Sequence, residues 1–326
     1  MMAVTAGFGV NTVSADNLIA VVSSTSGFAG NDVGTMTGSR VTNDVDIDSV
    51  GYRIKNGDGD TAVFNFHHNG KSYLITRYGR TGVSKLSLAQ GTWTGMKDGG
   101  MEIRHEKNPN IHEVGYNDKF IYVTGYDLPH ISGTTLDKQG KLDGLTFKKV
   151  ASFQDVIPHE GGRVPDYHGE GVKIRGNNLY ALVTVNPRGG YESYDDSYLL
   201  RYKINEDGSL TYDKNKGSVR VGKNATEIIP YNNLLMTPAM GGMIVSGQAD
   251  PNTALHVTDV SGGEMKVHKV KVPESTGIGK TIGYSNMQVT PEGNVYIVAM
   301  SYAGDFHGSK GGVYKTTVSN LLSDNP

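Results

Sequence analysis

The chain has 326 residues, 37% hydrophobic and 20% charged, with a net charge of −2. That is apolar material for one large β or α/β domain or two smaller ones, without the basic excess that marks a nucleic-acid or anionic-membrane partner. Cysteine is absent, which excludes disulfides, thiol catalysis and thiolate metal sites together.

No apolar run approaches the ~18 residues of a membrane-spanning helix, so membrane insertion is not expected. The 44 glycines are about twice the ordinary ~7% share and suit a protein of many tight turns. The first residues, Met1-Met-Ala-Val-Thr-Ala-Gly-Phe-Gly9, lack the basic and apolar regions of a signal peptide. A Ser/Thr/Asn/Gly/Tyr-rich, cysteine-free chain nonetheless predicts an extracytoplasmic protein, periplasmic, secreted or surface-attached, and a mature sequence with a new start Met.

Taken in order, the chain repeats one unit. Asn17-Leu-Ile-Ala-Val-Val22 reads as a strand, and Asp44-Val-Asp-Ile-Asp48 as an outer strand with one wet face. The latter is not a calcium loop, since Ser49 and Lys55 stand where Gly and Glu are needed. Asn56-Gly-Asp-Gly-Asp60 reads as a turn. A central aromatic marks the second strand of later units: Tyr73 in Lys-Ser-Tyr-Leu-Ile-Thr, Tyr122 in Phe-Ile-Tyr-Val-Thr, Tyr180 in Asn-Leu-Tyr-Ala-Leu-Val and Tyr296 in Asn-Val-Tyr-Ile-Val. These tyrosines stand 49, 58 and 116 residues apart. The doubled gap predicts a degenerate copy halfway, which we place at Met243-Ile244 behind Gly241-Gly242. Six units of about 54 residues result.

Third and fourth strands follow in most units. Candidates are residues 134–140 and 145–150, Ser197-Tyr-Leu-Leu-Arg-Tyr-Lys-Ile204 and residues 209–212, then residues 254–259 and 264–272. Gly277-Ile-Gly-Lys-Thr281 lacks the spacing of a phosphate loop, and there is no Gly-x-Ser-x-Gly elbow. In the last unit Pro291-Glu-Gly293 predicts a hairpin turn, because Pro presets φ and Gly supplies a positive one. A third strand, Val313-Tyr-Lys-Thr-Thr-Val318, and a short helical turn from Ser319 close the chain.

Four antiparallel strands repeated at this period make a propeller blade. The expectation is all-β: a single domain over residues 1–326, a six-bladed β-propeller of four-stranded antiparallel blades, with the N-terminal segment helping to close the last blade. The hairpin Tyr202-Lys-Ile-Asn-Glu-Asp-Gly-Ser-Leu-Thr211 and the pair around Gln288-Val-Thr-Pro-Glu-Gly-Asn-Val-Tyr-Ile-Val298 resemble the lactonase-type (YVTN-like) β-propellers. That resemblance extends to two or three blades and implies the superfold rather than an activity. Those families are commonly seven-bladed. Seven blades, the alternative count, would need about 47 residues each, shorter than most of the gaps.

Inner strands line a propeller's channel. Ten residues before the marker tyrosines lie His112, Glu170 and Asn286, with Glu113 and His168 beside them, and Asn65, His67 and His68 near the second unit's position. The first three are candidate ligands for a divalent metal in the central channel, of the Zn, Mn or Ni kind; the alternative, and the favoured account, is that such positions are polar because water fills the channel. The second-to-third-strand loops offer candidate ligand-binding residues: Arg77, Tyr78, Arg80, Tyr126, Asp127, His130, Arg188, Tyr191, Tyr194, Tyr302, Asp305 and His307. Rings that stack beside charges that orient are common on polar binding surfaces. Two readings stay open: a propeller binding a small molecule, glycan or protein through its loop face, or a metal-assisted lactonase or lyase at the channel mouth.

Overall fold

The computed structural model describes residues 18–25, 34–41, 47–54, 63–68, 71–78, 85–90, 97–105, 111–125, 128–136, 146–157, 165–186, 196–239, 255–270, 282–301 and 310–323. Side chains are described from Glu113 onward, apart from residues 146, 196, 282–286, 298–301 and 310–313. The described chain is almost entirely β, and its strands run as antiparallel meanders in sequence order.

The first meander is β1 (Leu18–Thr25), β2 (Gly34–Val41) and β3 (Ile47–Ile54). The second is β4 (Val63–His68), β5 (Lys71–Tyr78), β6 (Lys85–Gln90) and β7 (Lys97–His105). The third is β8 (Ile111–Tyr116), β9 (Phe120–Gly125), β10 (His130–Thr135) and β11 (Thr146–Ser152). The fourth has β12 (Asp166–Arg175), β13 (Asn178–Asn186) and β14 (Asp196–Ile204), with β15 (Leu210–Tyr212) and β16 (Ser218–Lys223) both on the edge of β14. The fifth is β17 (Ile229–Tyr231), β18 (Leu234–Pro238), β19 (Leu255–Asp259) and β20 (Lys266–Lys269), and the sixth is β21 (Ile282–Val289), β22 (Asn294–Ser301) and β23 (Lys310–Thr317). A single helical turn, α1 (Val318–Leu321), follows, capped by the Thr317 side chain accepting from the Asn320 N–H.

Tyr73, Tyr122, Tyr180 and Tyr296 all lie on second strands, and Gly293 has the positive φ, 84°, that the sixth hairpin turn needs. Two differences from the sequence reading emerge. The second and third meanders share one sheet, because β7 and β11 pair in parallel through Arg104–Thr146 and His105–Phe147; outer strands carry unpaired N–H and C=O groups, and here two such edges satisfy each other. In the fifth meander the second strand is β18, so the marker position belongs to Met236, and Leu234, the inner-strand position ten residues before Ile244, opens this second strand instead. The hairpin turns through Asn232-Asn233, with Asn232 at φ 49°, a two-residue turn of the kind Asn favours. Met243-Ile244 and the N-terminal segment lie outside the described residues.

The chain divides into two compact units, residues 1–123 with 132–149 and residues 124–131 with 150–326. In the second unit successive sheets bury their facing sides. Tyr180, Leu182, Leu199 and Val221 of the fourth meander cluster with Ala225, Ile228, Leu235, Ala239 and Met265 of the fifth. Met236, Leu255, Val257 and Val270 cluster with Met287, Val295, Ile297, Val318 and Leu321 of the sixth. Leu235 and Met236, adjacent on β18, thus serve opposite faces, as period-two strands must. Each fully buried Leu contributes about 1.5–3 kcal/mol.

Candidate functional site

The inner strands of the fourth, fifth and sixth meanders share an irregularity. On β12 the ladder passes from Gly169–Val183 to Gly171–Leu182, leaving Glu170 as an extra residue. In the fifth meander Ala225 bridges Ala239 while Ile229 pairs Met236, so four residues again face three. Thr226 lies inside that step, its N–H bonding the Pro238 carbonyl at 3.0 Å. On β21 the step falls between Tyr284–Ala299 and Asn286–Val298, leaving Ser285. Measured from Tyr180 and Tyr296, the fourth and sixth bulges occupy the same ladder position, and the extra residue of the fifth meander falls within the three residues past Met236. A bulge bends its strand and re-aims a side chain, and such features gather near functional sites.

This register corrects the alignment of the candidate rim. Counting back ten makes Glu170 and Asn286 equivalent, whereas the ladder makes Glu170 equivalent to Ser285, and Asn286 to Gly171. The cause is the turn: Gly176-Asn177 joins β12 to β13, while Pro291-Glu292-Gly293 is one residue longer.

Around the fourth bulge, His168 and Glu170 are each 7% exposed, and Asn186, opposite Asp166, is buried as well. The strand is held close on both sides. A Cβ on Gly169 would stand 2.8 Å from Thr124 Cβ, and one on Gly171 would stand 3.1 Å from Ile228 Cγ1. His168, Thr184 and Ser197 form one cross-strand row. Thr184 Oγ1 lies 2.9 Å from Ser197 Oγ, and Ser197 Oγ accepts from the Ala225 N–H at 2.9 Å. The fifth meander reaches onward: Glu227 Oε1 accepts from the Met287 N–H at 2.7 Å, fastening β21 beside its bulge. Asn224 is buried in the left-handed region at φ 51°. Asn224, Thr226 and Glu227 escape the sequence reading because a second strand at Met243-Ile244 puts the inner strand near Leu234; adding 56 residues to His168, Glu170 and Gly171 finds them.

The candidates distribute as follows. Glu170 lies on β12 and Asn286 on β21, in the second compact unit, while His112 lies on β8 in the first. The side chains of His112 and Asn286 are outside those described. Among the described residues no three His, Cys, Asp or Glu side chains gather to hold a metal ion. Glu113 is half-buried and accepts from its neighbour's N–H, Val114, at 3.2 Å. Arg77 and Tyr78 end β5, and His130 begins β10, half-buried. Arg80, Tyr126, Asp127, Arg188, Tyr191, Tyr194, Tyr302, Asp305 and His307 lie outside the described residues. Chain direction still assigns their segments. The stretches 79–84, 126–129, 187–195 and 302–309 follow second strands, so within each meander they leave from the end where the inner strand begins. Among the described residues no helix is long and apolar enough to cross a membrane.

No family model matches the chain, and no curated protein matches it in sequence. Among solved structures it is similar to the AfRom2 CNH domain, at TM-score 0.47 and 9% identity over 92% of this chain and 80% of that one. It is similar to a protein from Lactobacillus plantarum, at TM-score 0.47 and 13% identity over 74% and 68%. A third similarity, to the N-terminal domain of Nup159, has TM-score 0.43 and 13% identity over 91% and 76%. With TM-scores below 0.5, these likenesses leave fold and function to the chain's own register and side chains.

Proposed function

We propose that the meanders are the blades of a single six-bladed β-propeller spanning residues 1–326, and that it is an extracytoplasmic binding protein. Its ligand, a small molecule, glycan or protein, docks at the end where the second-to-third-strand loops emerge. The observation that carries this reading is the inner-strand bulge that recurs beyond the marker position in three consecutive meanders. Bulges re-aim inner-strand side chains, and on this reading they meet the ligand together with the segments that carry Tyr126, Tyr191, Tyr194 and Tyr302. Face-to-face burial of consecutive sheets supports the blade assignment.

The test is a thermal-shift screen of the full chain against oligosaccharides, peptides and small polar metabolites. It is repeated with Tyr126, Tyr191, Tyr194 and Tyr302 all replaced by Ala. A compound that raises Tm in the parent and not in the variant, with the two unliganded Tm values equal, is the expected result. Exposed loop rings cost within ~0.5 kcal/mol each when removed. A variant whose unliganded Tm falls steeply would show these rings pack between strands, and a retained shift would place the ligand elsewhere.

A further inference from the structure

His256, on β19, is 3% exposed. It pairs with Thr237 on β18 and Lys269 on β20, and residues paired across strands share a face. That face is the one on which Leu235 and Ala239 pack against Leu182, Leu199 and Val221 of the fourth meander. Nδ1 of His256 has no hydrogen-bond partner, and neither has Thr237 Oγ1 or Thr258 Oγ1, all buried. β20 contributes Lys269 on the face of His256 and His268 on the opposite face. On the facing sheet Arg201 of β14 points toward the fifth meander, bonding the Gly262 and Gly263 carbonyls, Lys223 pairs across the ladder with Asp196, and Lys216 pairs with Glu264 at 3.3 Å. The partially exposed Asp259 accepts from the Ser261 N–H at 2.8 Å, and β18 carries no charged side chain.

We infer that His256 makes the contact between the fourth and fifth meanders acid-labile: a proton on this imidazole would be a buried cation facing Lys269, with its Nδ1 unpartnered, and the sheets open to hydrate it. The device stands independently of what the loop end binds. Burial, then Lys269 and His268, hold the ring's pKa down at about 4 against an ordinary 6.5. A depressed folded value gives stability that is present above pH 6.5 and lost as pH falls toward 4. Between pH 7.5 and pH 5 the equilibrium for opening should rise roughly 30-fold.

Native-state hydrogen exchange on the full chain tests this, read at the β18 and β19 amides and corrected for intrinsic rates. The parent should open about 30-fold more readily at pH 5 than at pH 7.5, and His256→Leu less than threefold. An equal pH dependence in the two proteins, or none in the parent, overturns the inference. Should the Leu variant not fold, titration of the His256 ring in the parent decides: a midpoint near 4 supports it, and one near 6.5 overturns it.

Discussion

The close approach of β12 to the end of β9 can be measured. Gly169→Ala adds one methyl group 2.8 Å from Thr124 Cβ and 3.1 Å from the Gly125 amide nitrogen, atoms that no side-chain rotation can move. Relief requires backbone displacement, and overpacking of this kind costs ~1–3 kcal/mol; the upper half of that range is expected. Gly171→Ala meets Ile228 Cγ1 at 3.1 Å, an atom with more freedom, so its cost should stay below about 1 kcal/mol. Gly176→Ala is a control for backbone strain: nothing lies within 4 Å of the new Cβ, but φ is +56°, which costs an L-residue ~1 kcal/mol. Urea unfolding of the three variants should rank them 169, then 176, then 171. Thr124→Gly removes the opposing Cβ, so a double-mutant cycle with Gly169→Ala should give a favourable coupling of about 1 kcal/mol. Coupling within ~0.3 kcal/mol of zero, or a harmless Gly169→Ala, would refute the packing of this inner strand against Thr124 and Gly125.

Two further outcomes test neighbouring contacts. Ser197→Ala leaves the buried Ala225 N–H without its acceptor and should cost ~1–3 kcal/mol in the same assay, whereas Ser197→Thr, which keeps the oxygen, should cost less. Gly293→Ala puts a Cβ 2.9 Å from the Tyr231 hydroxyl at a φ of 84°; Tm should fall, and Tyr231→Phe should recover the steric part of the loss.

Strand identity was legible because it is written locally. A ring flanked by apolar residues between turn signals marks β5, β9, β13 and β22 wherever it occurs, and Ser319-Asn-Leu-Leu-Ser323 was enough to mark the closing helical turn. What escaped was phase. A one-residue bulge flips the inward-outward alternation, so a strand such as Tyr167-His-Gly-Glu-Gly-Val172 shows no clean period. Counting from the tyrosines ignored turn length, and the extra residue in Pro291-Glu-Gly293 shifted Asn286 by one place. In the fifth meander Met stands where the ring would be, and the Asn232-Asn233 turn went unread. His256 was invisible for another reason: alternation predicts an apolar residue there, as at Leu200, its counterpart 56 residues earlier, and nothing local announces that the exception is buried.

The sharing of one end by rim and loops follows from chain direction alone. In an antiparallel pair the second strand finishes where the first begins, so its outgoing loop must emerge beside the inner strand's first residues. Chain direction does not dictate where the extra residue goes. It could fall anywhere along β12, the 225–231 run or β21, yet in each it lies beyond the marker position, on the side toward the second strand's end. Curvature alone would be served by a bulge in either half. Placing it beyond the marker each time, with Glu227 gripping the Met287 N–H next to the sixth bulge, spends ladder hydrogen bonds on the geometry of these inner strands. On the binding reading proposed above, that irregularity shapes the surface the ligand meets.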